Sequence, residues 1–203
     1  MSGTHHNDKD LAAAIVHDLR APLNACVMSV SLIELQASQS PDVLRSVEVL
    51  RRNLDRQALL VKDLGDLLDV MAGGLPLALT EVELVELIDA AAKPIAAGAD
   101  VHIEWGCGRP LPCRLRADSE RLGRAIGIVL EMVAAATPAG GRIEMALTDD
   151  SGAVRVEARR RGDGAAGRKY PVMREVVARE IVAAHGGRLQ LDPAVATIDL
   201  TRG

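Results

Sequence analysis

Residues 16–24, Val-His-Asp-Leu-Arg-Ala-Pro-Leu-Asn, place a proline five residues after a histidine in a segment with helical periodicity. A proline inside a helix leaves the carbonyl of Asp18 without its helical donor, at a cost of about 3 kcal/mol. The apolar residues around this stretch recur at alternating spacings of four and three, which is a heptad seam. They are Ala12, Val16, Leu19, Leu23, Cys26, Val30, Ile33 and Ala37. The pattern predicts a long helix that contains Pro22 despite this cost.

The heptad also fixes where the histidine points. With Val16 and Leu23 on the seam, His17 takes a b position, which faces water. An exposed imidazole is largely neutral near pH 7, so one ring nitrogen can act as a nucleophile. The same face continues with small or uncharged side chains, namely Ala21, Asn24 and Met28. A plain surface histidine is the alternative interpretation.

A second heptad pattern begins after Pro41 and ends before Gly73 and Gly74. Its members are Val43, Val47, Leu50, Leu54, Gln57, Val61, Leu64, Leu68 and Met71. A flanking apolar stripe comprises Leu44, Leu60 and Leu67. Two antiparallel helices with apolar surface this wide cannot bury it as a single hairpin, so we expect a dimeric four-helix bundle.

Beyond Gly74 the pattern changes to short apolar segments typical of strands, separated by helical stretches. The predicted strands are 101–105, 142–147, 154–158, 189–191 and 197–200, and the predicted helices are about 81–97, 118–136 and 171–185. These segments predict an α/β sandwich over residues 75–203. It follows a helical hairpin over residues 10–72 and a disordered N-terminus over residues 1–9. The predicted fold class is therefore α plus α/β.

Composition narrows the class of protein. A net charge of −4 gives no electrostatic case for nucleic-acid binding. No apolar run approaches the roughly 18 residues of a membrane span, and no signal peptide precedes the first helix. The three cysteines lack the spacing of a metal site. We expect a cytoplasmic protein that binds neither membrane nor nucleic acid, with an aliphatic core because phenylalanine is absent.

Residues 17–23, His-Asp-Leu-Arg-Ala-Pro-Leu, resemble the H-box of sensor histidine kinases. The resemblance implies that His17 accepts a phosphoryl group and that the proline bends the helix beside this exposed nucleophile. Asp18 is expected to stabilise the charge on the ring, and Arg20 to contact the phosphoryl group or remain solvated. Residues 10–72 resemble the dimerisation and histidine-phosphotransfer hairpin of that family. Residues 75–203 resemble its Bergerat-like ATP-binding domain.

The resemblance also shows what the nucleotide site lacks. Arg121-Leu122 and residues 137–141 fix the register of the helix that carries the family's asparagines. The departures from the pattern are Ile128 and Met132 at the asparagine positions, Ala135 at a basic position, Arg160 at the adenine-reading aspartate before Gly162 and Gly164, and residues 172–175 at the phosphate-binding glycine loop. Such a loop needs glycines so that backbone N–H groups can approach phosphates. We expect no ATP binding and no cofactor, with Mg²⁺ held only by a partner receiver domain.

A hairpin with an exposed histidine, joined to an ATP domain without its ligands, resembles the dimeric, ChpT-like histidine phosphotransferases of bacterial phosphorelays. The resemblance implies a phosphotransfer protein, not an ATP-dependent kinase, that passes a phosphoryl group between the aspartates of response-regulator receivers. The predicted receiver-binding residues are Ala21, Asn24, Met28, Val61 and Asp63. The last two follow from counting back along the second helix to the level of His17. The alternatives are a dimeric pseudo-histidine-kinase scaffold that binds a receiver or kinase without carrying phosphate, and an active kinase with an unusual nucleotide site.

Overall fold

A computed structural model describes residues 4–36, 41–71, 74–150, 152–162, 172–192 and 194–201. The chain divides into two compact units, residues 1–74 and 75–203. The first unit is an antiparallel helical hairpin and the second an α/β sandwich, so the predicted fold class is confirmed. In the part of the chain that is described, no helix is both long and apolar enough to cross a bilayer.

The hairpin consists of helix α1, Thr4–Gln36, and helix α2, Pro41–Met71. Helix α1 continues through Pro22. It also begins at Thr4, so residues 4–9, which we predicted to be disordered, are helical, whereas residues 1–3 lie outside the described part. No proline or glycine separates Thr4 from Asp10, and nothing in that stretch therefore breaks a helix. Pro41 opens α2, where its missing N–H costs no helical hydrogen bond.

Among the six members of the predicted α1 seam whose side chains the structure describes, three are buried. The alternate members Val16, Leu23 and Val30 are buried, whereas Leu19, Cys26 and Ile33 are exposed. Helix α2 behaves likewise, since Val47 is 3% exposed and Leu50 is 50% exposed. The hairpin therefore leaves a continuous apolar surface uncovered.

The sandwich contains the remaining elements. They are β1 (Thr80–Glu83), α3 (Leu84–Gly98), β2 (Val101–Trp105), β3 (Arg114–Ala117), α4 (Ser119–Ala136), β4 (Gly141–Asp150), β5 (Ala153–Arg161), α5 (Val172–Ala184), β6 (Arg188–Leu191) and β7 (Val195–Thr201). The main sheet has the order β2-β4-β5-β7-β6, with β2 parallel to β4 and the other neighbours antiparallel. Strands β1 and β3 form a separate antiparallel pair, which the sequence analysis did not predict.

The core of the sandwich is aliphatic, as the composition predicts. The largest fully buried side chains include Leu84, Ile88, Leu122, Ile126, Ile143 and Ile181. Inward and outward side chains alternate along each central strand, so the helices cover one face of the sheet. The opposite face carries cross-strand ion pairs such as Arg142–Glu104 at 3.0 Å and Arg155–Asp199 at 2.6 Å.

Candidate functional site

The candidate nucleophile lies on the open side of α1. Val16 is 6% exposed, whereas the next side chain, His17, is exposed. A 100° rotation per residue separates these two neighbours, which is why one packs inward and the other faces solvent. The backbone of Asp18 continues the helix, but the side chain of that residue lies outside the described part of the structure.

A smooth strip extends from His17 toward the tip of the hairpin. Ala21, Asn24 and Met28 are all exposed along it, with Met28 69% exposed. None of the three carries a charge that a docking protein would have to desolvate. The structure thus places these predicted receiver-binding residues on one accessible face beside the imidazole.

Arg20 reaches toward α2. Its Nη2 lies 3.7 Å from the position that a Cβ on Gly65 would occupy, and Val16 Cγ1 lies 3.5 Å from the same position. Because the two helices are antiparallel, the closeness of Val16 to Gly65 places His17 level with about Leu64, next to the predicted range 61–63. Counting back from the turn ignores the axial stagger of the helices, and one residue of stagger amounts to about 1.5 Å.

One predicted receiver contact needs correction. Asp63 is fully buried, at 0% exposure, so its carboxylate presents no surface to a docking protein. Val61 is half-buried and lines an apolar groove together with Leu19 and Cys26, off the strip that begins at His17. Asp66, which the sequence analysis did not single out, is also buried, at 7% exposure. Asp66 follows Asp63 by three residues, so both lie on the same face of α2, and this spacing is the feature of the sequence that groups the two acids.

The apolar groove of the hairpin has a volume of about 350 Å³. Its lining residues come from both helices and are Leu19, Pro22, Leu23, Cys26, Gln57, Leu60 and Val61. Six of these seven side chains belong to the apolar or thiol classes, and Gln57 is the polar exception. Leu19, Cys26 and Gln57, which are exposed members of the two heptad seams, line the groove beside the buried Leu23.

The positions that the resemblance assigns to a nucleotide carry different chemistry here. Ile128 is 1% exposed and packs in the core, and Met132 is half-buried. Neither side chain offers the amide oxygen that Mg²⁺ or a phosphate network requires. The residues present therefore do not fit a magnesium nucleotide. Asp163 and Gly164 of the first glycine box lie outside the described residues.

Two arginine side chains link helix α4 to strand β5 and helix α5. Arg160 Nη1 on β5 donates to the carbonyl of Ala136 at 3.0 Å, at the carboxyl end of α4. Arg174 Nη1 on α5 pairs with Glu131 Oε2 on α4. Residues 172–175, at the place of the glycine loop, form the first turn of α5. Side chains from the protein itself thus engage the end of α4.

The start of α4 is fixed by Asp118, its N-cap. The carboxylate accepts the backbone N–H groups of Arg121 and Ala78, each at 3.0 Å. Burial alone would raise the pKa of Asp118, but these two hydrogen bonds, with the charge of Arg121, lower it below its ordinary value. The Asp118 N–H donates to His185 Nε2 at 3.0 Å, and His185 Nδ1 lies 2.8 Å from the carbonyl of Ile181.

The hairpin matches a known signalling family. Residues 8–73 match the family model of the His Kinase A (phospho-acceptor) domain. Comparison with curated proteins gives no significant match. The family match thus covers the hairpin of residues 8–73 and names it as a phospho-acceptor domain.

Solved structures share the fold of nearly the whole chain. Full-length ShkA in complex with AMPPNP is 20% identical with a TM-score of 0.71, over 94% of this chain and 45% of that one. The histidine kinase AdeS of Acinetobacter baumannii is 16% identical with a TM-score of 0.62, over 92% and 98%. The histidine kinase ThkA, solved in complex with the response regulator protein TrrA, is 19% identical with a TM-score of 0.54, over 96% and 61%. The chain thus spans less than half of ShkA and about three fifths of ThkA.

Proposed function

We propose that the chain is a histidine phosphotransferase of the ChpT-like type, which shuttles a phosphoryl group between receiver aspartates through His17. The observation that carries the proposal is a contrast between the two units. The phospho-acceptor hairpin presents an exposed histidine on a smooth strip, whereas the nucleotide positions hold Ile128, Met132 and Arg160. A donor other than ATP must then supply the phosphoryl group.

The chemistry needs no cofactor from this chain. A ring nitrogen of His17 attacks the phosphorus of an aspartyl phosphate, the N–P bond forms, and the P–O bond to the donor breaks. The donor leaves as an aspartate carboxylate, and the reverse step delivers the group to a second receiver. Catalysis of such a transfer depends on positioning and on neutralising charge. The receiver supplies Mg²⁺. Asp18 stabilises the positive charge on the ring, and Arg20 contacts the phosphoryl group or remains solvated.

The partner is a response-regulator receiver domain, which docks on the strip formed by Ala21, Asn24 and Met28. ThkA, which shares the fold of this chain, was solved in complex with the response regulator protein TrrA, and this supports a response regulator as the class of partner. Exposure of the strip and its lack of charge favour docking, because little desolvation opposes it. We further propose that the functional unit is a cytoplasmic homodimer, formed through the uncovered seam of the hairpin.

The proposal is tested by following label between receivers. Receiver domains of the same organism are phosphorylated with radiolabelled acetyl phosphate, purified, and incubated with the full chain and a second receiver. We expect label on the chain and then on the second receiver. His17→Ala should abolish both, while His102→Ala, which removes another exposed imidazole, should change neither. If label still reaches the second receiver with His17→Ala, the phosphotransferase proposal is wrong and the binding-only scaffold takes its place.

A further inference from the structure

A wedge-shaped gap lies between α3 and α4 in the sandwich. The helices are close at their first turns, where a Cβ on Gly123 would lie 2.9 Å from Leu87 Cδ1. One turn further along α4, a Cβ on Gly127 would meet nothing within 4 Å. Because Ile95 and Glu131 later border a common cavity, the two helices run in the same direction and diverge toward their carboxyl ends.

The divergence leaves a cavity of about 820 Å³. That volume lies within the range of roughly 300–1,000 Å³ that is typical of small-molecule sites. Small side chains create the space, among them Gly98, Ala99, Ala134 and Ala135. The walls are therefore predominantly apolar.

The border of the cavity is negatively charged. Its charged lining residues are Asp100 and Glu131, and both are acids. Glu131 is paired with Arg174, whereas the Asp100 carboxylate makes no ion pair with any residue that the structure describes. The carboxyl end of α3 adds partial negative charge there, whereas Arg160 already donates to the carboxyl end of α4. The cavity thus combines an apolar interior with a border that favours a cation.

This cavity is distinct from the nucleotide position discussed above. Ile128, Met132 and Arg160 do not line it, and Ala135 is the single position that the two share. It lies on the α3 side of α4, whereas Arg174 approaches from α5. Neither the phospho-acceptor match nor the chemistry of His17 accounts for it.

We propose that the cavity binds a small organic cation with an apolar body. The apolar part lies against the small side chains of α3 and α4, and the ammonium group lies beside the Asp100 carboxylate. Burial of the apolar part supplies affinity, and the carboxylate supplies the preference for positive charge. The site is independent of phosphoryl transfer at His17.

The experiment titrates the full, ¹⁵N-labelled chain with 4-phenylbutylammonium and follows its amide resonances. We expect saturable shifts at residues 94–101 and 131–139, with a dissociation constant below about 1 mM. The matched anion 5-phenylpentanoate should bind at least about tenfold more weakly. Equal binding of the anion, shifts that fall elsewhere, or no saturation at about 10 mM would each overturn the proposal.

Two variants sharpen the test. Gly98→Phe fills the cavity, because a Cβ at Gly98 meets nothing within 4 Å, and it should abolish binding. Ala146→Phe adds the same ring at an exposed position on the opposite face of the sheet and should leave binding unchanged. Asp100→Asn, at an exposed position, should weaken binding of the cation by about 3- to 10-fold. Unchanged affinity in both Gly98→Phe and Asp100→Asn would contradict the site.

Discussion

Arg160 shows how one residue can decide what a site accepts. Strand alternation places it on the face of β5 that the helices cover, in line with Val156 and Ala158. A guanidinium there requires an acceptor, and the carbonyl of Ala136 at the carboxyl end of α4 provides one. An aspartate at the same position would accept from an adenine amino group, whereas Arg160 can only donate.

We therefore predict that the chain does not bind ATP at physiological concentration. The side chains at Ile128, Met132 and Arg160 each lack a contact worth about 1.5–3 kcal/mol, and losing three weakens binding by several orders of magnitude. Calorimetric titration with ATP and Mg²⁺ measures this. Arg160→Asp alone should not restore binding, since Ile128 and Met132 remain. A dissociation constant below about 1 mM for the wild type would instead support the active-kinase alternative.

The heptad pattern accounts for which side chains of the hairpin were predicted correctly as exposed. It specifies which way a helical side chain points, so the exposure of His17, Ala21 and Asn24 could be read directly. It does not specify the stagger between two helices or the surroundings of a polar residue. The burial of Asp63 was therefore missed, and so was the approach of Arg20 to Gly65.

At the scale of the element, Glu83 links a strand, a helix and a loop. It ends β1 and caps α3, where its carboxylate accepts from Val85 N at 3.1 Å and Glu86 N at 2.8 Å. It also accepts from Cys113 N at 2.8 Å. Burial alone would raise the pKa of Glu83, but these three N–H donors, with the charge of Arg109, lower it below the ordinary 4.5.

This lowered pKa predicts a pH dependence of stability. A carboxyl whose pKa is depressed by folding contributes stability above its unfolded pKa and loses it as pH falls through the folded value. The free energy of unfolding should therefore decrease below about pH 4.5, which urea titrations followed by the fluorescence of Trp105 can measure. Glu83→Gln should lower stability by about 1–2 kcal/mol at pH 7 and flatten this dependence.

Glu81→Gln is the matched control. Glu81 lies on the same strand but is exposed, and it pairs with Arg114 across the surface at 3.1 Å. An exposed pair of this kind contributes about 0–1 kcal/mol. If Glu83→Gln and Glu81→Gln shift the pH curve equally, the backbone hydrogen bonds of Glu83 are not its source.

The strands that the sequence analysis missed are β1 and β3, whereas the equally short β6 was predicted over residues 189–191. Strands β1 and β3 have four residues each, and Thr80–Glu83 merges with the start of the helical pattern that continues into α3. Four residues give too few repeats to separate a period of two from one of 3.6. The longer strands β4 and β5 were predicted over residues 142–147 and 154–158, and they extend over 10 and 9 residues in the structure.

At the scale of the whole molecule, the two units differ in how completely each buries its own apolar side chains. The sandwich contains most of the fully buried residues, including Leu84, Ile126 and Ile143. The hairpin leaves Leu19, Ile33 and Leu50 between 42% and 50% exposed. Isolated helices owe most of their stability to packing of an apolar face, so an uncovered seam of this length indicates a further partner surface.

A second copy of the hairpin is the cover that the heptad pattern predicts, because the exposed members continue the same seam that is half-buried inside one copy. The wild type should have about twice the monomer mass of 21.5 kDa by light scattering at micromolar concentration. Leu50 and Val49 provide a matched pair, since they are 50% and 48% exposed and only Leu50 lies on the seam. Leu50→Asp should bury a charge at the interface and yield monomer, whereas Val49→Asp should remain dimeric. A monomeric wild type, or equal effects of the two substitutions, would show that the seam does not mediate self-association.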